Sequence, residues 1–215
     1  MLRLQPKKFN AWLNNIGQVF AWQHSAACPC YLEHSGAPDP QCGLCGGRGR
    51  VWDDPVEGKS GIAGQKILRQ WAEFGQWEAG DVVLTIPSDS PLYAMGELDR
   101  VVMINSSQPF SVNRLRGQHD KLVFHVVQVD RVFWKGPDDE IVEGGIPEVA
   151  PDGSLSWPEG GEPPMGTQFS ITGRRRPEYF CFGEFPQDRA HHSGADLPRR
   201  VVLRRWDLFG RYGKT

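Results

Sequence analysis

Apolar positions recur at helical spacing near the start of the chain and with a shorter, strand-like rhythm over most of the rest. Phe9, Trp12, Leu13 and Ile16 fall on one face of a 3.6-residue turn, which predicts a short helix within residues 3–16. QVFAWQ (Gln18–Gln23) reads as a strand running into the first pair of cysteines. GRGRVW (Gly47–Trp52) reads as the strand returning from the second pair. IAGQKILRQWAEF (Ile62–Phe74) is ambiguous. Ile67, Trp71 and Phe74 suit a helix, whereas the flanking Gly61, Gly64 and Gly75 suit a strand with kinks, and a kinked strand is expected. Further strand-like runs cover Gly80–Pro87, Asp99–Ile104, Lys121–Trp134, Gln168–Thr172, Glu178–Phe185 and Arg199–Phe209, most of them separated by turn residues. Leu122–Val129 is apolar on nearly both faces, which predicts a central strand.

These elements give a mainly β fold: a small barrel- or sandwich-like body carrying an N-terminal cysteine hairpin. The 25 Gly and 17 Pro among 215 residues agree with a turn-rich β architecture. Two regions are expected, residues 1–60 with the cysteines and residues 61–215 with the β body. The body is interrupted at 136–168, where seven Gly, six Pro and eight acidic residues accompany no Lys or Arg. An irregular loop of that length inside a compact domain is expected to be functional, mobile or ordered by a partner.

Charge refines this picture. The net charge of −2 gives no global attraction to nucleic acid or to an acidic membrane. Its distribution is uneven, because residues 169–215 carry ten basic and five acidic residues beside the acidic stretch. Such a split fits solvated surfaces or complementary faces of neighbouring subunits. No apolar run is long enough to span a membrane. MLRLQPKKFNAW lacks the apolar core of a secretory signal, so a cytoplasmic, reducing setting is expected.

That setting bears on the cysteines. Cys28, Cys30, Cys42 and Cys45 lie within eighteen residues as C-x-C, eleven residues, then C-x-x-C. Two close pairs let short loops aim four sulfurs at one point, as tetrahedral zinc requires. In a reducing compartment zinc is favoured over disulfides, which remain the alternative together with unligated thiols. The single residue between Cys28 and Cys30 is short for a knuckle, and the flanking His24 or His34 offers a replacement ligand. CGLCGGRG (Cys42–Gly49) resembles one C-x-x-C-x-G-x-G unit of the zinc modules in DnaJ-type chaperones. The unit does not repeat, so the likeness implies a zinc knuckle and not chaperone activity. Four sulfur ligands leave no open position, which points to a structural staple. Cys181, in an aromatic strand, reads as a buried core thiol.

Other groups offer little chemistry. His191 and His192, near Asp188 and Asp196, read as a polar turn, with a second metal or acid–base site as the rival. His119, beside Asp120, and His125 have no companion ligand, and His125 is expected to be packed in a strand. Ser88–Ser90 and Ser106–Ser107 lack the context of an activated nucleophile. No phosphate loop, dinucleotide fingerprint or zinc-protease motif is present, so no catalysis is expected. Arg174, Arg175, Arg176, Arg199, Arg200, Arg204 and Arg205, with Tyr179, Phe180 and Trp206, form a basic region suited to nucleic acid or to a subunit contact.

Several segments together resemble a type of tailed-bacteriophage virion protein: Trp22–Cys30, Asp39–Gly49, Phe74–Val101 and Leu197–Asp207, about half of the chain. The resemblance implies a neck component joining head to tail, of the adaptor, stopper, gateway or collar type. It further implies copies arranged in a homo-oligomeric ring, contacts with portal and tail proteins, and passive contact with packaged DNA. The corresponding location is the virion neck, reached from the host cytoplasm. The competing reading is a zinc-ribbon joined to an OB-like barrel that binds nucleic acid.

Overall fold

The computed structural model describes residues 5–186, 190–192 and 194–212. Its first elements are α1 (Pro6–Ile16), β1 (Gln18–Gln23), β2 (Ser25–Ala27), β3 (Arg50–Trp52), β4 (Val56–Ile62), α2 (Gln65–Glu73), β5 (Val82–Ile86) and β6 (Arg100–Met103). There follow β7 (Gln108–Leu115), β8 (Val126–Lys135), β9 (Ile141–Glu143), β10 (Glu148–Val149), β11 (Leu155–Ser156) and β12 (Gln168–Arg175). The chain ends with β13 (Glu178–Glu184), β14 (His191–His192), β15 (Ala195–Asp196), β16 (Arg199–Arg205) and α3 (Phe209–Tyr212). The fold is therefore mainly β. None of its helices is long and apolar enough to cross a membrane, among the described residues.

The chain divides into two compact units, one made of Met1–Asn105 with Glu178–Thr215 and the other of Ser106–Pro177. This division differs from the expected one at 60/61. β1 and β4 pair as neighbours and both belong to the first unit, because their ladder from Gln18↔Ser60 to Trp22↔Val56 ties the N-terminal segment into the barrel.

In the first unit six antiparallel strands close into a barrel in the order β1-β4-β5-β16-β13-β6. Closure leaves no free sheet edge. Side chains alternate across the wall. Phe20, Leu84, Ile86, Val101, Val201 and Leu203 join one core cluster, which also holds Cys181. Val83 and Val202, one residue out of phase, instead meet Trp71 of α2 and Phe185. A third cluster, Leu98, Phe180 and Phe209, packs with Trp52 and Trp206.

The segment read as a kinked strand, Ile62–Phe74, contains α2. Its glycines are punctuation: Gly64 is the N-cap with extended backbone, and Gly75 follows the helix at φ +74°. Trp71 decides the outcome by burying its ring over β5 and β16, and its indole N–H donates to Asp81 at 3.0 Å.

In the second unit β7-β12-β8-β9 form a four-stranded antiparallel sheet, and β10 and β11 pair as a hairpin. Phe110, Leu122, Val132, Phe169 and Ile171 make its core, with Val149, Leu155 and Trp157 packed against them. The Gly/Pro-rich stretch is thus built into the unit's structure. Glycine is required at Gly153, whose φ is +81° and whose Cβ would lie 2.0 Å from the carbonyl oxygen of Leu122. The expected central strand at Leu122–Val129 is also different. β8 begins only at Val126, and Val123 and Val127 are exposed, so the apolar run does not mark burial on both faces.

Candidate metal centre

The cysteine segment is rooted on a three-residue ladder between β2 and β3, from Ser25↔Trp52 to Ala27↔Arg50. Beyond it the backbone turns back on itself. Cys28 N–H donates to Gly49 O at 2.9 Å, Asp39 N–H to Cys30 O at 2.9 Å, and Gly46 N–H to Cys42 O at 2.9 Å. Gly46, Gly47 and Gly49 all have positive φ. Two of them are also sterically required. A Cβ on Gly47 would meet Pro40 O at 3.0 Å, and one on Gly49 would meet Pro38 Cγ at 2.6 Å.

These turns bring Cys28, Cys30, Cys42 and Cys45 together, with their four sulfurs all within 4.8 Å of one another. The Cys28–Cys42 and Cys30–Cys45 separations are 3.8 and 3.5 Å. A tetrahedral metal with ~2.3 Å bonds to sulfur spaces its ligands by roughly 3.8 Å. The set therefore fits a tetrahedral ion with little rearrangement. All five cysteines are free thiols.

The electrostatics of the pocket are uneven. Burial, with hydrogen bonds from the other three thiols, pushes the Cys28 thiol up to about 12. Burial opposes ionisation at Cys45 as well, but the Gly49 N–H, 3.3 Å from its sulfur, and hydrogen bonds from the neighbouring thiols bring it down to about 7. Four sulfurs packed this closely cannot all ionise unaided. A bound cation would supply the compensating charge.

Neither flanking histidine completes the set. His34 is exposed and outside the cluster. His24 turns to Asp99, with Nδ1 3.1 Å from its Oδ1. Asp99 is a fixture that the sequence reading missed. Fully buried, it accepts from Trp22 Nε1 at 2.7 Å, Ser25 N–H at 2.8 Å and Gly96 N–H at 2.7 Å. It thereby anchors the root of the cysteine segment to the start of β6. Its one visible signal was its place at the head of the strand-like run Asp99–Ile104.

The remaining candidates separate. Arg204 is buried and forms an ion pair with buried Asp81, so it offers nothing to a nucleic acid or a subunit. β16 alternates in and out, and Arg204 shares the phase of Val202, under the segment that follows α2. Arg199 pairs with Glu184 and Arg205 with Asp207. Arg200 lies over the ring of Phe185. Arg174 donates to Ser107 and Arg175 stacks on Phe124, both in the second unit, where Arg176 also lies. The seven arginines thus do not form one patch within either unit. His191 and His192 lie in the short β14–β15 hairpin opposite Asp196 and Ala195, and Asp188 lies outside the described residues. His119 and His125 are both exposed. The expected packing of His125 fails because the chain there is not yet in β8. Cys181 is buried in the barrel core, where burial pushes its thiol up to about 12.

No family model matches the chain, and no curated protein is similar to it in sequence.

Proposed function

We propose that this chain is a structural virion protein of a tailed phage, a zinc-stapled component of the ring that joins head to tail. The observation that carries the reading is the fourfold thiol site on a segment with little core of its own. A full set of sulfur ligands stabilises a projection and leaves no position for a substrate. Zinc is the assigned metal because four thiolates in a tetrahedron are its usual structural environment. The reading assigns no catalytic step. The projection and the second β unit supply surfaces for neighbours, and the segments quoted for the neck resemblance, Asp39–Gly49 among them, span the metal centre and barrel strands.

Two measurements test this. Metal analysis of the purified chain is expected to give one zinc per chain, lost when Cys42 is replaced by Ser. Crosslinking of purified particles is expected to join this chain to portal or tail proteins, and its absence from particles refutes the reading. A nucleic-acid module would instead bind oligonucleotides with a salt slope reflecting several phosphate contacts. The engagement of Arg199, Arg204 and Arg205 with carboxylates of the same chain weighs against that alternative.

A further inference from the structure

We propose that a groove beside α1 receives the acidic β9 corner of a second copy of this chain, joining copies head to tail. A surface helix ordinarily turns its apolar stripe inward. α1 does otherwise. It meets the barrel through Leu13, whose Cδ2 lies 2.7 Å from where a Cβ of Gly61 would stand. Polar contacts accompany it: Asn10 donates to Ser88 Oγ at 2.8 Å, and Asn14 Nδ2 lies 3.4 Å from both carboxylate oxygens of Asp89. Buried Asn10 Oδ1 has no partner among the described residues. Meanwhile Phe9, Trp12 and Ile16 are left 42, 52 and 56% exposed. With Ile62 and Ile67 they line a groove of about 380 Å³. Clustered exposure of large apolar side chains on one face marks an interaction surface.

Charge selects the occupant. No acidic residue lines the groove and Arg200 does. Exposed Lys8 and Lys66 each directly precede a lining residue. The matching ligand is apolar with acidic flanks. This chain carries one in residues 136–168, which hold eight acids and no Lys or Arg. There Ile141 is 61% exposed at the start of β9, directly after Asp138, Asp139 and Glu140, and exposed Ile146 follows. Lys135 neutralises Asp139 and Arg131 neutralises Glu143. Asp138 and Glu140 have no such cationic partner among the described residues. β9 is also the outer strand of its sheet. Groove and corner belong to different units of the chain, so each copy offers both halves of the contact. That is a heterologous interface, which repeats from copy to copy. The contact rests on the neck reading only for closure into a ring.

Sedimentation of the zinc-loaded full chain tests the proposal. Association is expected to strengthen at low salt and to weaken about tenfold with Trp12→Ser or Ile141→Ser. Lys66→Glu weakens it too, and adding Glu140→Lys restores it. Mixing the Trp12→Ser and Ile141→Ser chains yields pairs that neither forms alone, since each retains the half that the other lacks. All these side chains are exposed, and unchanged unfolding midpoints confirm that the variants fold. A chain that stays monomeric throughout, association indifferent to Ile141→Ser, or mixed variants that fail to pair overturns the proposal. Incorporation into particles is scored separately. Pairing without incorporation refutes the neck reading and leaves the contact standing.

Discussion

Asp81 and Arg204 carry opposite charges out of water, their side chains 0% and 1% exposed. Arg204 donates to Asp81 through Nε at 3.0 Å and Nη2 at 2.9 Å, and its guanidinium lies 3.8 Å from the ring centroid of Phe182. The same carboxylate accepts the indole of Trp71 and the N–H of Glu78. Removing one partner strands the other, so Asp81→Ala is expected to cost about 3–5 kcal/mol in urea unfolding. Arg204→Lys is expected to recover only part of the wild-type stability, because an ammonium cannot reproduce the planar fork. Cys181 gives a pH prediction at the same scale. Burial raises its thiol from 9.0 to about 12. Below pH 9 both states hold the proton and stability is unaffected. Above pH 9 the unfolded chain releases a proton that the folded chain keeps, so stability falls by about 1.4 kcal/mol per pH unit until the folded thiol also titrates. Denaturant midpoints measured across this window are expected to lose that component of the slope in Cys181→Ala.

At the scale of elements, the cysteine segment is held by a three-residue ladder, the Asp99 anchor and its metal ligands. Chelation is expected to speed amide exchange across residues 28–50 while the barrel strands stay protected, since metal binding there is folding free energy. Gly49→Ala tests the same element without replacing a ligand. It places a Cβ 2.6 Å from Pro38 Cγ at φ +75°. The strain of roughly 1–2 kcal/mol corresponds to about a five- to thirtyfold loss of zinc affinity, read by chelator competition. α2 teaches a related point. Its two flanking glycines, one at each end, delimit a helix instead of kinking a strand, and the burial of Trp71 against β5 and β16 distinguishes the two outcomes.

For the whole molecule, the informative register is Val102↔Glu178 between β6 and β13. These strands are neighbours in the barrel, yet the entire second unit, Ser106–Pro177, lies between them in sequence. The first unit is therefore interrupted at a position where a tight hairpin would serve. Each unit has its own apolar cluster, Phe20 with Leu84 in one and Val132 with Ile171 in the other. Replacing 106–177 by Asn-Gly, which leaves a five-residue link between the paired Val102 and Glu178, is expected to leave a folded barrel that still binds one metal, checked by circular dichroism and metal content. Under the head-to-tail proposal that shortened chain keeps the groove and loses the corner.

Sequence alone determined what local pattern controls. Strand periodicity, the helical stripe of Phe9, Trp12, Leu13 and Ile16, and two close cysteine pairs, the second interleaved with glycines, each depend on neighbours a few residues apart. The β class and the four-sulfur cluster were legible for that reason. Tertiary structure decided whatever depends on partners far along the chain. Barrel closure joins β1 to β6 and β5 to β16 across scores of residues. The same long-range pairing placed Arg204 beside Asp81 and took it off the surface, and it set Asp99 beneath the cysteine segment. It also left Phe9, Trp12 and Ile16 facing a groove. A hydrophobic stripe fixes which residues share a side of a helix, but the direction that side faces is set by what the rest of the chain packs against it.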